Sequence, residues 1–248
     1  EITPPPYHPD TPAVRRKWAD YYELITVLDN WAANLLEQLE EDGLAENTIV
    51  FFWSDHGAGM PRCKRWIYDS GVHVPLIVRI PEKWRREGDP EPGTVEQRLV
   101  GSLDLGPTVL RLTNIEPPDY MQGRAFLRND AEPRQYAYAA RDRMDERYDI
   151  IRMVRDRQYK YIRNYEPFKP YDQFMNTAEK SPIKKEIRRL EQAGELPPGV
   201  DWVTQETKPV EELYDTAADP HEMNNLAGNA EMEGVLQRLR AAHEAWMT

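Results

Sequence analysis

The hydrophobic period changes once, abruptly, within the first quarter of the chain, and that change constrains the fold more than any other feature. Trp18, Tyr22, Ile25, Leu28, Ala32, Leu35, Leu36 and Leu39 recur at three- and four-residue spacing, the period of one helix face. Thr11 followed by Pro12 offers an N-cap with proline at the first helical position. Gly43 offers a stop, so the span predicts a helix of about eight turns. Then TIVFFW at 48–53 is apolar throughout and rich in β-branched and aromatic side chains, as a strand buried on both faces requires. VPLIVRI at 74–80 is a second such run. Long helix, short turn and buried strand make the rhythm of an α/β sheet, and the two runs are predicted to be parallel strands within it.

Composition narrows the classes of function. A chain of 248 residues holds one large domain or two smaller ones. With 40% hydrophobic and 30% charged residues it can bury a core rather than stay disordered. The net charge of -11 removes the general attraction to phosphate backbones, so nucleic acid is not an expected partner; a local basic pocket can still bind an anion. Cys63 is the single cysteine, which excludes an intrachain disulfide. No apolar run is long enough for a helical membrane span. EITPPPYHPD at 1–10 lacks the basic and apolar regions of a leader. It reads as an extended connector, and its abrupt start leads us to expect a piece of a longer protein.

Further along, 81–97 is rich in Pro, Glu and Arg and reads as a surface loop. Ser102 can cap a helix to about Leu112, which IEPPDY breaks. After residue 130 the texture shifts. Segments 136–140, 149–155 and 158–163 read as short antiparallel strands, followed by a charged helix from Pro182 to about Ala193. A short strand at 212–215 and a final amphipathic helix over 231–246 complete the chain. We therefore divide it into 1–130, a sheet-and-helix portion, and 131–248, a smaller α+β subdomain with an antiparallel sheet and closing helix.

The chemistry concentrates in SDHGAGMPRCKRWIYDSG, 54–71, between the two apolar runs. Ligands of α/β sheets gather at the carboxyl ends of strands, where Asp55 and His56 stand. A carboxylate suits Ca2+, Mg2+ or Mn2+, and an imidazole suits the transition metals better. Asp55 can equally cap a turn and His56 face water. Lys64 or Arg65 could hold an anionic oxygen or protonate a leaving group, or belong to a solvated basic loop. Gly57, Gly59 and Gly71 permit close backbone approach or make turns. Cys63 has no His partner at a fixed spacing and reads as structural. His73 lines the pocket or is a satisfied core histidine. RDRMDER at 141–147 reads as a loop whose Arg141, Asp142 and Arg143 either meet an anionic substrate or pair among themselves in water.

The segments YYELITVLDNWAANLLEQLEEDGLAENTIVFFWSDHG, KRWIYDSGVHVPLIVRIP, GSLDLGPTVLRLTNI with GRAFL, VRDRQYKYIRN and EELYDTAADPHEMNNLA occur in this order across nearly the whole chain. Together they resemble the sulfatase family of the alkaline-phosphatase superfamily. GMPRCKRWIYDSG and RDRMDERYDIIRMVRDRQYKYIRNY are most similar to bacterial relatives of heparan N-sulfatase. The resemblance implies part of an alkaline-phosphatase-like α/β sandwich with a mainly parallel sheet, carrying the smaller C-terminal subdomain. It implies hydrolysis of sulfate esters or sulfamates, with a sulfated glycan as the expected substrate class and a hydrated formylglycine attacking sulfur. A divalent ion, Ca2+ first and Mn2+ or Mg2+ as alternatives, would bind the nucleophile and sulfate oxygens. By motif position Asp55 matches a metal ligand, His56 stands where many members have asparagine, and Lys64 matches the lysine that contacts sulfate and the bridging oxygen. His73, Arg141, Asp142 and Arg143 are then the candidate substrate contacts.

The Cys/Ser-x-Pro-x-Arg nucleophile motif does not occur in this sequence, since Cys63 precedes Lys64-Arg65-Trp66. The chain therefore resembles the second half of a sulfatase. On its own it is expected to be inactive and, with apolar surface uncovered, to form oligomers. His56 also occurs in related phosphonate and phosphodiester hydrolases, which keeps that chemistry open, as does a non-catalytic anion-binding module. Carbohydrate-active members are exported, which implies a periplasmic or extracellular site.

Overall fold

The computed structural model describes residues 2–128 and 133–248. Helix α1 spans Pro12–Glu41, as the apolar period predicts. Thr11 is extended and its hydroxyl accepts the Val14 amide, capping an orphan donor of the first turn. Gly43 leaves the helix at φ +66°. The helix buries Val14 and Trp18, near its start. Tyr22, Ile25, Leu28, Trp31, Leu35 and Leu36 remain exposed along the rest.

The proline-rich start has no helix or strand, yet it is no loose connector: Tyr7 and His8 are buried. The Trp18 indole donates to His8 Nδ1 at 3.2 Å, and His8 Nε2 lies 2.8 Å from the Pro61 carbonyl. An indole N–H can only donate, so Nδ1 is the acceptor and Nε2 carries the proton. The neutral ring is thereby satisfied on both sides, and it ties the start of the chain to the segment around Pro61.

Strand β1 is Val50–Trp53, α2 is the single turn Asp69–Val72, and β2 is Leu76–Arg79. Here the expectation for this pair is corrected. β1 and β2 pair with each other, antiparallel, Val50 opposite Arg79 and Trp53 opposite Leu76. An all-apolar run reports two faces suited to burial and carries no information about the direction of its neighbour. Burial is also incomplete, with Trp53 50% and Ile77 61% exposed.

Helix α3, Leu105–Leu112, follows a 3-10 turn over Ser102–Asp104. Asp104, rather than Ser102, organises this start. Its buried carboxylate accepts the Gly101 and Arg124 amides at 2.9 and 2.7 Å and pairs with Arg134. The boundary expected near residue 130 lies outside the described residues; on either side of them Leu99 and Arg134 form an antiparallel bridge.

The C-terminal sheet matches the alternation read from sequence. Strands β3 (Ala137–Met144), β4 (Arg147–Arg155), β5 (Tyr159–Asn164) and β6 (Glu211–Asp215) lie in that order, each antiparallel to the next. Helices α4 (Asn176–Glu179) and α5 (Pro182–Ala193) fall between β5 and β6, and α6 (Glu233–Met247) closes the chain. RDRMDER is not a loop, as expected from its charge, but the end of β3 and the hairpin turn into β4. The register slips between Arg141 and Arg143, the signature of a bulge.

The sheet is the middle layer. One face packs Val154, Tyr161 and Leu213 against Leu236 and Leu239 of α6. The other packs Ile151, Met153, Ile162 and Tyr214 against Trp66, Ile67 and Tyr68 of the loop after β1. A further cluster joins Val14 and Trp18 to Met60, Cys63, Ile183 and Ile187. Each fully buried side chain of this size contributes about 1.5–3 kcal/mol. The loop that carries the candidate chemistry is thus seated by apolar contact on the C-terminal sheet.

Candidate active site

The loop between β1 and β2 is knitted by short-range bonds. Gly57 N donates to Gly71 O at 2.9 Å, Lys64 N to Ala58 O at 2.9 Å, and Trp66 N to Cys63 O at 3.0 Å. Ser54 Oγ donates to His56 O and Ser70 Oγ to Arg62 O. Two of its glycines are obligatory: a Cβ on Gly57 would collide with the Ser70 carbonyl, and one on Gly71 with the carbonyls of Trp66 and Cys63. A Cβ on Gly59 would meet nothing. Gly57 and Gly71 serve packing of the loop on itself.

The C-terminal sheet grips the loop with charge as well as apolar surface. Asp69 pairs with Arg155 and with the fully buried Lys160, which also reaches Glu222 at 2.6 Å. Burial alone would raise the Asp69 pKa; Lys160 and Arg155 outweigh it and leave it lowered. Burial raises Glu222, against the pull of Lys160. Glu212, also buried, accepts from the hydroxyls of Tyr68, Tyr171 and Tyr214 and from Asn164 Nδ2. A buried carboxylate with every lone-pair direction used is a rigid joint rather than a liability. Arg62, stacked 3.9 Å over Tyr68, donates to the carbonyls of His221 and Glu222.

Asp55 and His56 stand just past β1, as expected. The Asp55 side chain is 81% exposed and lies 3.4 Å from His56 Nε2. His56 Nδ1 is 2.8 Å from the Gly57 carbonyl, so Nδ1 must carry the proton. Nε2 is therefore the ring nitrogen turned towards the carboxylate. Hard carboxylate oxygen with imidazole nitrogen fits part of a divalent-metal ligand set. Among the described residues no group of three or more His, Cys, Asp or Glu could hold an ion, so these two can supply only a share of one.

Lys64 is half-buried, and its ammonium makes no hydrogen bond or ion pair among the described residues. The hydrogen bond from its backbone amide to the Ala58 carbonyl keeps it beside the segment that begins with Asp55 and His56. Cys63 is buried against the Tyr7 hydroxyl, and burial pushes its thiol pKa up, which fits a structural thiol. His73 is not a core histidine: at the end of α2 its side chain is 72% exposed, 3.7 Å from Asp69. It lines a pocket of about 390 Å3 with Asp69, Ser70, Arg155 and His221.

The hairpin residues separate. Arg141 is buried and stacks 4.3 Å over Trp66, and its guanidinium nitrogens find no hydrogen-bond partner among the described residues. Burial lowers its pKa, and Asp149 opposes that. Asp142 pairs with Arg152 at 2.8 Å. Arg143 donates to the Asp145 carbonyl at 3.3 Å, at the exposed hairpin tip. Strand alternation and the bulge point neighbouring residues apart, so the three do not form one cluster. Arg62, Asp69, Lys160, Glu212 and Glu222 went unremarked in the sequence. A signal lay in the aromatic-flanked WIYDSG, which places Asp69 directly after a buried Tyr.

Residues 3–115 match the sulfatase family model, and residues 62–191 match the model of the N-sulphoglucosamine sulphohydrolase C-terminal region. An ulvan-active sulfatase of Formosa agariphila is 42% identical over 246 residues, covering 98% of this chain and 40% of that protein. Human N-sulphoglucosamine sulphohydrolase is 29% identical over 266 residues, covering 99% of this chain and 50% of that one. The chain thus spans half or less of the length of these curated relatives. A solved 2-O glycosaminoglycan sulfatase superposes with a TM-score of 0.68 at 23% identity, over 94% of this chain and 43% of that one. A phosphonate monoester hydrolase of Agrobacterium radiobacter shares the fold at a TM-score of 0.55 and 21% identity, over 90% of this chain and 41% of that one. Both family models, the order of motifs and the alkaline-phosphatase-like fold agree: this chain belongs to the sulfatase family and corresponds to its C-terminal portion.

Proposed function

We propose that this chain supplies one wall of a sulfatase active site that hydrolyses a sulfated glycan. The observation that carries the reading is the Lys64 ammonium, without a partner among the described residues and held on the same knitted loop as the facing Asp55 and His56. Enzymes of this family use a divalent metal and formylglycine. Asp55 and His56 would hold part of the metal's ligand shell, Ca2+ first and Mn2+ or Mg2+ as alternatives, and the ion would supply positive charge to sulfate oxygens. Lys64 donates to a sulfate oxygen and the bridging oxygen, stabilising charge as the sulfur–oxygen bond breaks. The attacking oxygen is not assigned to Cys63. Its thiol is buried, and no Pro-x-Arg follows it.

Sulfated carbohydrate as substrate class is supported by the names of the most similar relatives. A polymeric glycan does not cross a membrane, which favours a periplasmic or extracellular site. His73 in its pocket and Arg143 at the hairpin tip remain the candidate sugar contacts, with Asp142 held by Arg152 and Arg141 supporting from below. We keep the division near residue 130, with 1–130 bearing the site and 131–248 supporting it. The exposed apolar surface of α1, β1 and β2 supports a further layer of the sandwich covering it in the whole protein.

His56 favours one second reading, phosphonate or phosphodiester hydrolysis on the same scaffold. Turnover of nitrophenyl sulfate and nitrophenyl phosphonate by the natural gene product, before and after chelation, separates the two. Sulfate preference abolished by chelator is the expected result; a clear phosphonate preference overturns the reading.

A further inference from the structure

Lys64 lies between two arginines whose backbones are left-handed, Arg62 at φ +61° and Arg65 at φ +78°. Any residue with a Cβ is strained there, and such strain persists only where the surroundings enforce it. In both cases the enforcing contact comes from the C-terminal half of the chain, from the segment after β6 for Arg62 and from the β3–β4 turn for Arg65. Arg62 donates to the carbonyl of Glu222 at 2.6 Å, and Glu222 is itself left-handed at φ +54°. Arg65 Nε donates to Asp145 Oδ2 at 2.6 Å, and Asp145, at the tip of the β3–β4 hairpin, is left-handed at φ +50°. Arg65 Nη2 also reaches Thr177 Oγ1 at 3.0 Å, in α4. The strained residues thus pair off across the chain, Arg62 with Glu222 and Arg65 with Asp145, and the lysine with the free ammonium lies between the two anchors.

We infer that Arg65 is a positioning residue: through its bridge to Asp145 it fixes where the Lys64 ammonium stands and couples that position to the β3–β4 hairpin. The role rests on the assignment of Lys64 above. With the Arg65 and Asp145 side chains 17% and 37% exposed, the bridge adds little to stability. Its value is geometric, one residue from the group it places. The hairpin tip also carries Arg143, bonded to the Asp145 carbonyl. A sugar that displaces the tip would therefore displace Lys64 as well.

The test uses the natural gene product and a series of aryl sulfates whose leaving phenols span a range of acidity. If Lys64 stabilises the leaving oxygen, Lys64→Ala steepens the dependence of kcat/KM on leaving-group acidity. Arg65→Gly keeps φ +78° accessible while deleting the anchor, and Asp145→Asn weakens it from the other side. Both should steepen the dependence in the same direction, with kcat/KM for the poorest leaving group falling by on the order of 10²-fold and unfolding midpoints unchanged. A uniform loss across the series, or no loss, in Arg65→Gly and Asp145→Asn while Lys64→Ala steepens it would overturn the positioning role alone. No steepening in Lys64→Ala would overturn the assignment of Lys64, and the positioning role with it.

Discussion

Leu28 and Leu239 occupy equivalent places in sequence terms, each on the apolar stripe of an amphipathic helix, and they meet opposite fates. Leu239 in α6 is fully buried between Val154, Tyr161 and Leu213, whereas Leu28 in α1 is 43% exposed. The sheet β3–β6 closes over α6. The start of α1 is covered by Met60, Cys63, Ile183 and Ile187, and the rest of its stripe is open, as are Trp53 and Ile77 on the two short strands. A hydrophobic period states which face is suited to burial and says nothing about what covers it. The candidate site sits at the seam between these regions. Its loop springs from the open side and is anchored to the closed one.

The strongest test of that anchoring is Lys160→Met. Removing the cation leaves the buried Glu222 carboxylate without its ion-pair partner and Asp69 held by Arg155 alone, at about 3–5 kcal/mol in urea unfolding; a loss below about 1 kcal/mol would mean that this network does not bind loop to sheet. Leu239→Ala should cost about 2–5 kcal/mol through the cavity it leaves. The matched Leu28→Ala should stay within about 0.5 kcal/mol, as exposed positions do, and equal losses would erase the contrast between the helices.

A third test is pH. Burial, with help from Arg62 and against the Pro61 carbonyl, lowers the His8 pKa from 6.5 to about 4. The unfolded chain therefore takes up a proton near pH 6.5 that the folded chain refuses until about pH 4. The neutral ring's stabilisation is full above pH 6.5 and should fall by about 3 kcal/mol as pH drops towards 4. Denaturant midpoints that stay flat across that window in the native chain, or that fall equally in His8→Asn, would remove His8 from the anchor. The smallest effect concerns the open face. The 248-residue chain alone should self-associate at micromolar concentration, and Leu28→Ser with Trp31→Ser should shift its gel-filtration profile towards monomer. A monomeric parent chain would show that this face tolerates water.

Much of this arrangement was legible because local rules carried it. Thr11-Pro12 and Gly43 set the limits of α1, and alternation located β4, β5 and β6. The motif order identified the family before any contact was known. The strand pairing of β1 was not legible, because an apolar run carries no sign of direction. RDRMDER hid a hairpin because its charges obscure a bulged strand near a solvent-facing tip. At the site, Asp55, His56 and Lys64 could be named from spacing and resemblance. Their supports could not, since Arg62, Asp69, Lys160 and Glu222 meet across up to 160 residues of chain. Only the folded sheet brings them together, and a buried lysine such as Lys160 reads in sequence as one more surface charge.

Amide hydrogen exchange on this chain addresses the anchoring most directly. If the C-terminal sheet holds the site loop, the amides of Lys64, Trp66, Asp69 and Gly71 should exchange with the slow class of Val154 and Ile162, and more slowly than those along the exposed stripe of α1. Loop amides that exchange as fast as those of the open helix face, while β4 and β5 stay protected, would contradict it.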